Sequence, residues 1–181
     1  ANESKQMTAQ DLENGNTDKG LTGNLDNGTG KWRLVVSSAL DLQVMSMIRS
    51  TDGFLTNQSG MVDENQSGDH VIFFANPASD TFRQTFLRII NTSGSSGTVT
   101  IAGVDDNGDA APGGDVTFSL EANAAKQVTA GDLENGNAGK GLTGALGSGD
   151  GRWRLTVSSG VDLQVMSLIR TPDGFLTNLS R

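Results

Sequence analysis

The sequence predicts an all-β protein whose main body is an antiparallel β-sandwich. Three observations predict this fold: short runs in which apolar and polar residues alternate, clusters of turn-forming residues between these runs, and a long segment that occurs twice. Alternation with a period of two places every second side chain on the same face of a strand. A strand with one apolar face needs a second sheet to cover that face, which is the arrangement of a sandwich.

The run from Arg152 to Val157 shows the alternation most clearly. Trp153, Leu155 and Val157 fall on one face, and the residues between them are polar. Trp32 begins the same pattern in the first part of the chain and predicts an equivalent half-buried strand there. The predicted strands are Val71–Ala75, Thr85–Asn91, Gly97–Val104, Val116–Leu120, Arg152–Ser158, Val161–Arg170 and Phe175–Asn178. Seven short strands in about 110 residues are typical of an immunoglobulin-like or fibronectin-like sandwich.

An internal repeat sets the domain organisation. Residues 1–59 align without a gap on residues 122–180, a shift of 121, and about 40 of roughly 60 positions are identical. We name residues 1–60 the first A segment, 61–121 the B segment and 122–181 the second A segment. The B segment has a different sequence with a similar hairpin pattern, so the chain reads A-B-A.

The predicted domains follow from this order. Residues 61–181 form one complete sandwich, and residues 1–60 form a half-unit equivalent to the C-terminal half of a repeat. The alternative frame, in which each unit is A followed by B, leaves the last segment unpaired instead. An unpaired half-unit exposes an apolar face and open strand edges, so we expect it to pack on the B segment, the other A segment or a neighbouring chain.

One helical turn is predicted inside each A segment. Thr129 and Asp132 have the spacing of a capping box, and Gly136 supplies a stop, so the pattern predicts a helix over Ala130–Asn135. Asp11 is the equivalent acid in the first A segment. Because the same acids recur in both copies, we interpret them as a requirement of the fold and not as an acid-base pair.

The composition argues against several function classes. The chain has no cysteine, a single histidine, His70, and a net charge of −8. An acidic surface repels polyphosphate and anionic lipid, so nucleic acid and membrane surfaces are expected to be poor partners. No apolar run approaches the roughly 18 residues that span a bilayer, so no membrane insertion is expected. No constellation of nucleophile and base stands out, and the sequence predicts a protein that is not an enzyme and has no resident cofactor.

Calcium is the one metal that the sequence indicates. Hard oxygen ligands cluster within five residues, at Asp105, Asp106, Asn107 and Asp109. Oxygen-rich loops of this kind suit calcium, and Asp115 or Glu64 could complete the set after folding. An acidic hairpin turn without a metal explains the same residues.

Two further pairs recur at the repeat spacing. Trp32 and Trp153 could stack on sugars, but each shares a strand face with leucine and valine, which favours packing in the core. Arg49 and Arg170 end equivalent strands, where a structural partner is the default interpretation and an anionic ligand the alternative.

The runs FLRIINTSGSSGTVTIAGVDDNG, DLENGN, GLTG, WRL and VMSLIRTPDGFLTN resemble repeat domains of long secreted, adhesin-like proteins of marine Gram-negative bacteria. The resemblance implies an extracellular or cell-surface location and a structural or adhesive role in a tandem array. Its partners would be neighbouring repeats or copies of the chain. The alternative is a carbohydrate-binding module accessory to a secreted hydrolase, with surface glycans as ligands.

Overall fold

A computed structural model describes residues 4–51, 53, 55–58 and 68–179. The chain divides into two compact units, Ala1–Gln43 and Val44–Arg181. In the described part of the first unit, the regular structure consists of helix α1 (Ala9–Asn14) and a 3-10 turn (Thr17–Lys19). All described strands belong to the second unit, which also carries helix α2 (Ala130–Asn135) and a second 3-10 turn (Ala138–Lys140).

The described residues of the second unit form ten strands: β1 (Met47–Arg49), β2 (Leu55–Asn57), β3 (His70–Ala75), β4 (Gln84–Asn91), β5 (Gly97–Val104), β6 (Val116–Leu120), β7 (Ala125–Thr129), β8 (Trp153–Ser159), β9 (Leu163–Arg170) and β10 (Leu176–Asn178). Eight of them form two four-stranded antiparallel sheets with the orders β10-β9-β4-β7 and β3-β8-β5-β6, and β1 pairs with β2 as a hairpin. The prediction of an all-β, sandwich-like fold is confirmed.

A single apolar core includes side chains from both sheets. Strands β4, β5, β6 and β8 alternate buried and less buried residues along much of their length, as the period-two pattern predicts. The most completely buried apolar side chains are Leu87, Ile89, Val99, Ile101, Val116, Val128, Leu146, Leu155, Val157 and Leu163. Because these residues come from the B and second A segments, the core depends on both.

Strands of the B and second A segments alternate within the sheets. Strand β8 of the A segment lies between β3 and β5, which are both B strands. Strand β9 of the A segment lies between the B strand β4 and its own neighbour β10. An A segment therefore cannot complete either sheet by itself, because most of its strands find their hydrogen-bond partners in B.

The strand pairing found among the described residues of the first A segment is the one that is internal to an A segment. Its β1–β2 hairpin has the register of β9 with β10: Arg49 pairs with Leu55, and Arg170 pairs with Leu176 at positions 121 residues later. The predicted strand that begins at Trp32 is wrong, since no strand is assigned to the described residues 31–43. In the second copy, the equivalent strand β8 has B strands on both sides, and the first copy lacks them.

Candidate functional site

Helix α2 is fixed by a polar network around Asp132. The Thr129 hydroxyl accepts a hydrogen bond from Asp132 N at 3.0 Å, and the Asp132 carboxylate accepts one from Thr129 N at 2.8 Å. This is the capping box that the sequence predicts. Asn137 Nδ2 donates to the same carboxylate at 2.6 Å, and the Lys140 ammonium forms an ion pair with it. The network joins the helix to the 3-10 turn that follows it.

The environment of Asp132 controls its ionisation. Burial of the side chain raises its pKa, but the Lys140 ammonium and the hydrogen bonds from Thr129 and Asn137 outweigh burial and lower the pKa to about 2. The ionised carboxylate is therefore more stable in the folded protein than in the unfolded chain.

Acid is expected to destabilise the second unit through this carboxylate. The folded pKa of Asp132, about 2, lies below its ordinary value of 3.8, so its contribution is present above about pH 5 and is lost as the pH falls toward 2. The contribution is about 2 kcal/mol, because the side chain is 9% exposed and poorly screened. Urea unfolding of the parent and of Asp132→Asn between pH 7 and pH 2 checks this. An equal pH dependence in both proteins would contradict it.

The first A segment contains the same network without the sandwich. Asp11 accepts hydrogen bonds from Thr8 N at 2.7 Å and Asn16 Nδ2 at 2.5 Å, and it pairs with Lys19 at 2.6 Å. The Lys19 ammonium, with the hydrogen bonds of Thr8 and Asn16, holds the pKa of Asp11 well below its ordinary value. The helix, its cap and the following turn are thus locally encoded.

A tryptophan-glutamate pair connects the second A segment to the B segment. Trp153 Nε1 donates to Glu134 Oε1 at 2.8 Å in a buried position, and Ala78 N donates to the same oxygen at 3.0 Å. Trp153 and Glu134 belong to the A segment and Ala78 to B. The sequence interpretation missed this pair, although the spacing of 19 residues between glutamate and tryptophan occurs in both copies.

Two glycines make room for the Trp153 ring. A Cβ atom at Gly149 would lie 2.5 Å from the ring, and one at Gly103, on strand β5, would lie 3.0 Å from it. The first A segment repeats its own half of this arrangement: Trp32 Nε1 donates to Glu13 Oε1 at 2.7 Å, and a Cβ at Gly28 would approach the Trp32 ring to 2.6 Å. Ala78 and Gly103 are the residues that B supplies to this site, and the described part of the first A segment contains no counterpart of either.

The apolar side chains of the two A segments differ sharply in burial. Trp153 is 3% exposed, and its counterpart Trp32 is 40% exposed. Leu34, Val36 and Leu42 are each more than half exposed, whereas their counterparts in β8 and β9 are almost completely buried. The uncovered face, as we name it, consists of Trp32, Leu34, Val36 and Leu42. Packing in the core is thus observed for Trp153 and not for Trp32.

The acids predicted to bind calcium lie in the turn after β5. Asp105 Oδ1 accepts hydrogen bonds from Asn107 N and Asp109 N at 2.9 and 3.0 Å, and Asp105 Oδ2 accepts one from Asp150 N at 3.0 Å. The Asp150 hydrogen bond is the main cause of the lowered pKa of Asp105. Asp106 Oδ2 accepts a hydrogen bond from Arg152 N at 2.9 Å. The turn therefore joins B to the second A segment through backbone amides.

These hydrogen bonds affect the prediction that the acids bind calcium. Among the described residues, no group of three or more acidic or histidine side chains lies close enough to hold one ion. Asp115 is exposed, and Glu64 lies outside the described residues. Calcium prefers six to eight oxygen ligands, and the Asp105 oxygens already accept amide hydrogen bonds. Calcium binding stays a prediction.

The two arginines end strands as expected. Arg49 is the last residue of β1, and Arg170 is the last residue of β9. Both are exposed, and their backbones occupy equivalent positions in the two hairpins. This placement fits a structural position, and the anionic-ligand interpretation gains no support from it.

Comparison with known proteins gives no match: no family model, no curated protein and no solved structure is similar to this chain. In the part of the chain that the structure describes, no helix has the length and apolar character needed to cross a membrane. The functional interpretation is therefore based on two features of the structure itself. These are the contacts between A and B and the uncovered face.

Proposed function

We propose that the chain is a non-catalytic, extracellular structural or adhesive module that acts as a spacer or attachment element in a tandem array. Each complete unit in this proposal is an immunoglobulin-like or fibronectin-like sandwich made of a B segment and an A segment. Neighbouring repeats or copies of the chain are its partners. The resemblance to repeats of adhesin-like proteins supports the extracellular or cell-surface location.

One observation carries the proposal. The same segment occurs twice, and its apolar residues are buried where B strands flank them and exposed where none do. A segment that is complementary to B in this way is suited to serial assembly, in which length comes from repetition. The acids recurring at Asp11 and Asp132 form structural networks, which supports a scaffold in preference to a hydrolase.

The array proposal is tested by lengthening the full chain with one, two or four head-to-tail copies of residues 61–181. Small-angle scattering should then show a maximum dimension that increases by a constant increment for each added copy. Negative-stain images should show beads along a rod. A particle that becomes a larger compact globule would reject the proposal.

The alternative function is a carbohydrate-binding module accessory to a secreted hydrolase. Phe73 on the edge strand β3 and Phe82 in the following connection are each about three-quarters exposed. Exposed aromatic rings are the groups on which sugars stack in such modules. These two residues, rather than the buried Trp153, are the candidates for this function.

A glycan array separates the alternatives. The spacer proposal expects no saturable binding, with or without millimolar calcium, for the full chain. Binding that is lost in Phe73→Ala or Phe82→Ala but retained in the control Phe175→Ala would favour the carbohydrate-binding module. Binding that needs calcium and is lost in Asp105→Asn would also establish the metal site.

A further inference from the structure

We propose that the uncovered face of the first A segment is a docking surface for a B-type segment supplied by another repeat unit. This inference rests on the proposed function and deepens it, because it names the partner and the chemistry of its recognition. The partner is a set of strands of the same kind as those in the B segment of this chain.

The second A segment shows what covers such a face. Leu155 in β8 is paired with Ile72 of β3 on one side and Gly103 of β5 on the other. Val157 is paired with His70 and Ile101 in the same manner. Both partners of β8 are thus B strands. The face of β8 packs in the core shared with the other sheet, to which B contributes Leu87 and Ile89 of β4, and Leu155 and Val157 are 1% exposed or less.

The first A segment has the same side chains at the equivalent positions, so we infer that the same kind of cover fits it. Tryptophan, leucine, valine and leucine occupy the four positions of the uncovered face and the four equivalent positions in β8 and β9. A cover that fits one set of side chains therefore fits the other once residues 31–43 adopt the backbone of their counterparts in β8 and β9. The chain itself supplies the template from which the occupant is identified.

The first A segment already contains its own part of the structure that surrounds the tryptophan in the second A segment. Helix α1 is capped, and Trp32 is held by its hydrogen bond to Glu13 and fits against Gly28. Trp153 has the same contacts with Glu134 and Gly149. B adds Gly103 beside the ring and Ala78, whose N–H donates to Glu134. Among the described residues, the contacts of this site that have no counterpart around Trp32 are those that B supplies.

Copies of residues 1–181 cannot by themselves cover every A segment. Residues 1–181 contain two A segments and one B segment. When B strands exchange between copies, every B that covers a first A segment leaves a second A segment uncovered. Any number of copies of residues 1–181 therefore retains one uncovered A segment for each copy, and a further B-type segment removes this excess.

The Trp ring gives the partner a recognisable feature. A Cβ at Gly103 would lie 3.0 Å from the Trp153 ring, closer than ordinary van der Waals contact, so glycine fits best in the strand beside the ring. A partner for Trp32 should therefore carry glycine at the position equivalent to Gly103. A strand with a larger residue there would be rejected by contact with the indole.

The test adds a copy of residues 61–121 directly before Ala1 of the full chain. The new junction repeats the natural step from Glu121 to Ala122, and the product reads B-A-B-A. Hydrogen exchange measured by mass spectrometry follows peptides from residues 31–43, and peptides from 152–164 serve as the folded reference. We expect exchange at Leu34 and Val36 to slow by at least about a hundredfold in the extended chain.

Matched substitutions in the added copy give the control. Leucine at the position equivalent to Gly103 should abolish the new protection, because it collides with the ring. Leucine at the position equivalent to Gly94 should preserve it, because a side chain there meets nothing within 4 Å.

Three results would overturn the docking surface. The first is unchanged exchange of residues 31–43 in the extended chain, and the second is equal protection with both glycine substitutions. The third is protection of Trp32 in a dimer of the unextended chain in which residues 152–164 also stay protected. Rods formed by added copies of 61–181 would still stand in each case, so failure of the docking surface is distinguishable from failure of the array proposal.

Discussion

Replacing Leu155 with alanine is expected to lower the free energy of unfolding of the second unit by roughly 2 to 5 kcal/mol. Leu155 is 1% exposed, lies on β8 and belongs to the core shared by the two sheets. Truncation removes the free energy gained by burying the leucine side chain. It also leaves a cavity, because the surrounding strands cannot move enough to fill it. Urea unfolding followed by circular dichroism measures the change.

The control for this prediction is present in the chain. Leu34 is the equivalent residue of the first A segment and is more than half exposed. Leu34→Ala should change the free energy of unfolding by less than about 0.5 kcal/mol. A comparable loss in both variants would mean that the two copies bury this leucine equally, against the structure described above.

Removing the Glu134 carboxylate is expected to lower the free energy of unfolding by roughly 2 to 4 kcal/mol, because the buried Trp153 N–H and the partly buried Ala78 N–H lose their acceptor. Glu134→Ala leaves Trp153 Nε1 and Ala78 N without Oε1, which accepts from them at 2.8 and 3.0 Å. Glu134→Gln keeps an acceptor oxygen and should recover most of the loss. Urea unfolding and the tryptophan emission maximum report both changes.

The matched control is Glu13→Ala in the first A segment. Its hydrogen bond with Trp32 is exposed to water, which can replace the lost acceptor. The free energy of unfolding should therefore change by less than about 0.5 kcal/mol. If Glu134→Gln were as damaging as Glu134→Ala, the acceptor role assigned to Oε1 would be wrong.

Local patterns were sufficient to predict most of the fold. The seven predicted strands are all present, with ends within two residues, because period-two alternation and turn residues act over a few positions. Helix α2 was predicted over its observed range from the cap at Thr129 and the stop at Gly136. Strand β7 was missed, since this edge strand buries a single residue, Val128, and lacks clear alternation.

Features that depend on distant segments could not be predicted in this way. The run that begins at Trp32 has the strand pattern, yet a strand forms only where other strands donate and accept its hydrogen bonds. The repeat alignment did not reveal that both neighbours of the equivalent strand come from B. The acids Asp105 and Asp106 were recognised as a cluster, but their backbone partners near Asp150 lie more than 40 residues away.

The alternation of A and B strands gives the repeat its physical meaning. Had each segment formed its own sheet, the two A segments would have the same structure regardless of their surroundings. Instead, the local helix and the hairpin survive in both copies, and the strands that need B partners are found in one. The boundary of a sequence repeat is therefore not the boundary of a folding unit in this chain.

Hydrogen exchange of the unmodified chain tests this claim most directly, because residues 32–36 and 153–157 have nearly the same sequence and differ in their flanking strands. We expect the amides of β8 to exchange at least about a hundredfold more slowly than those of residues 32–36. Equal protection of the two stretches would contradict the account.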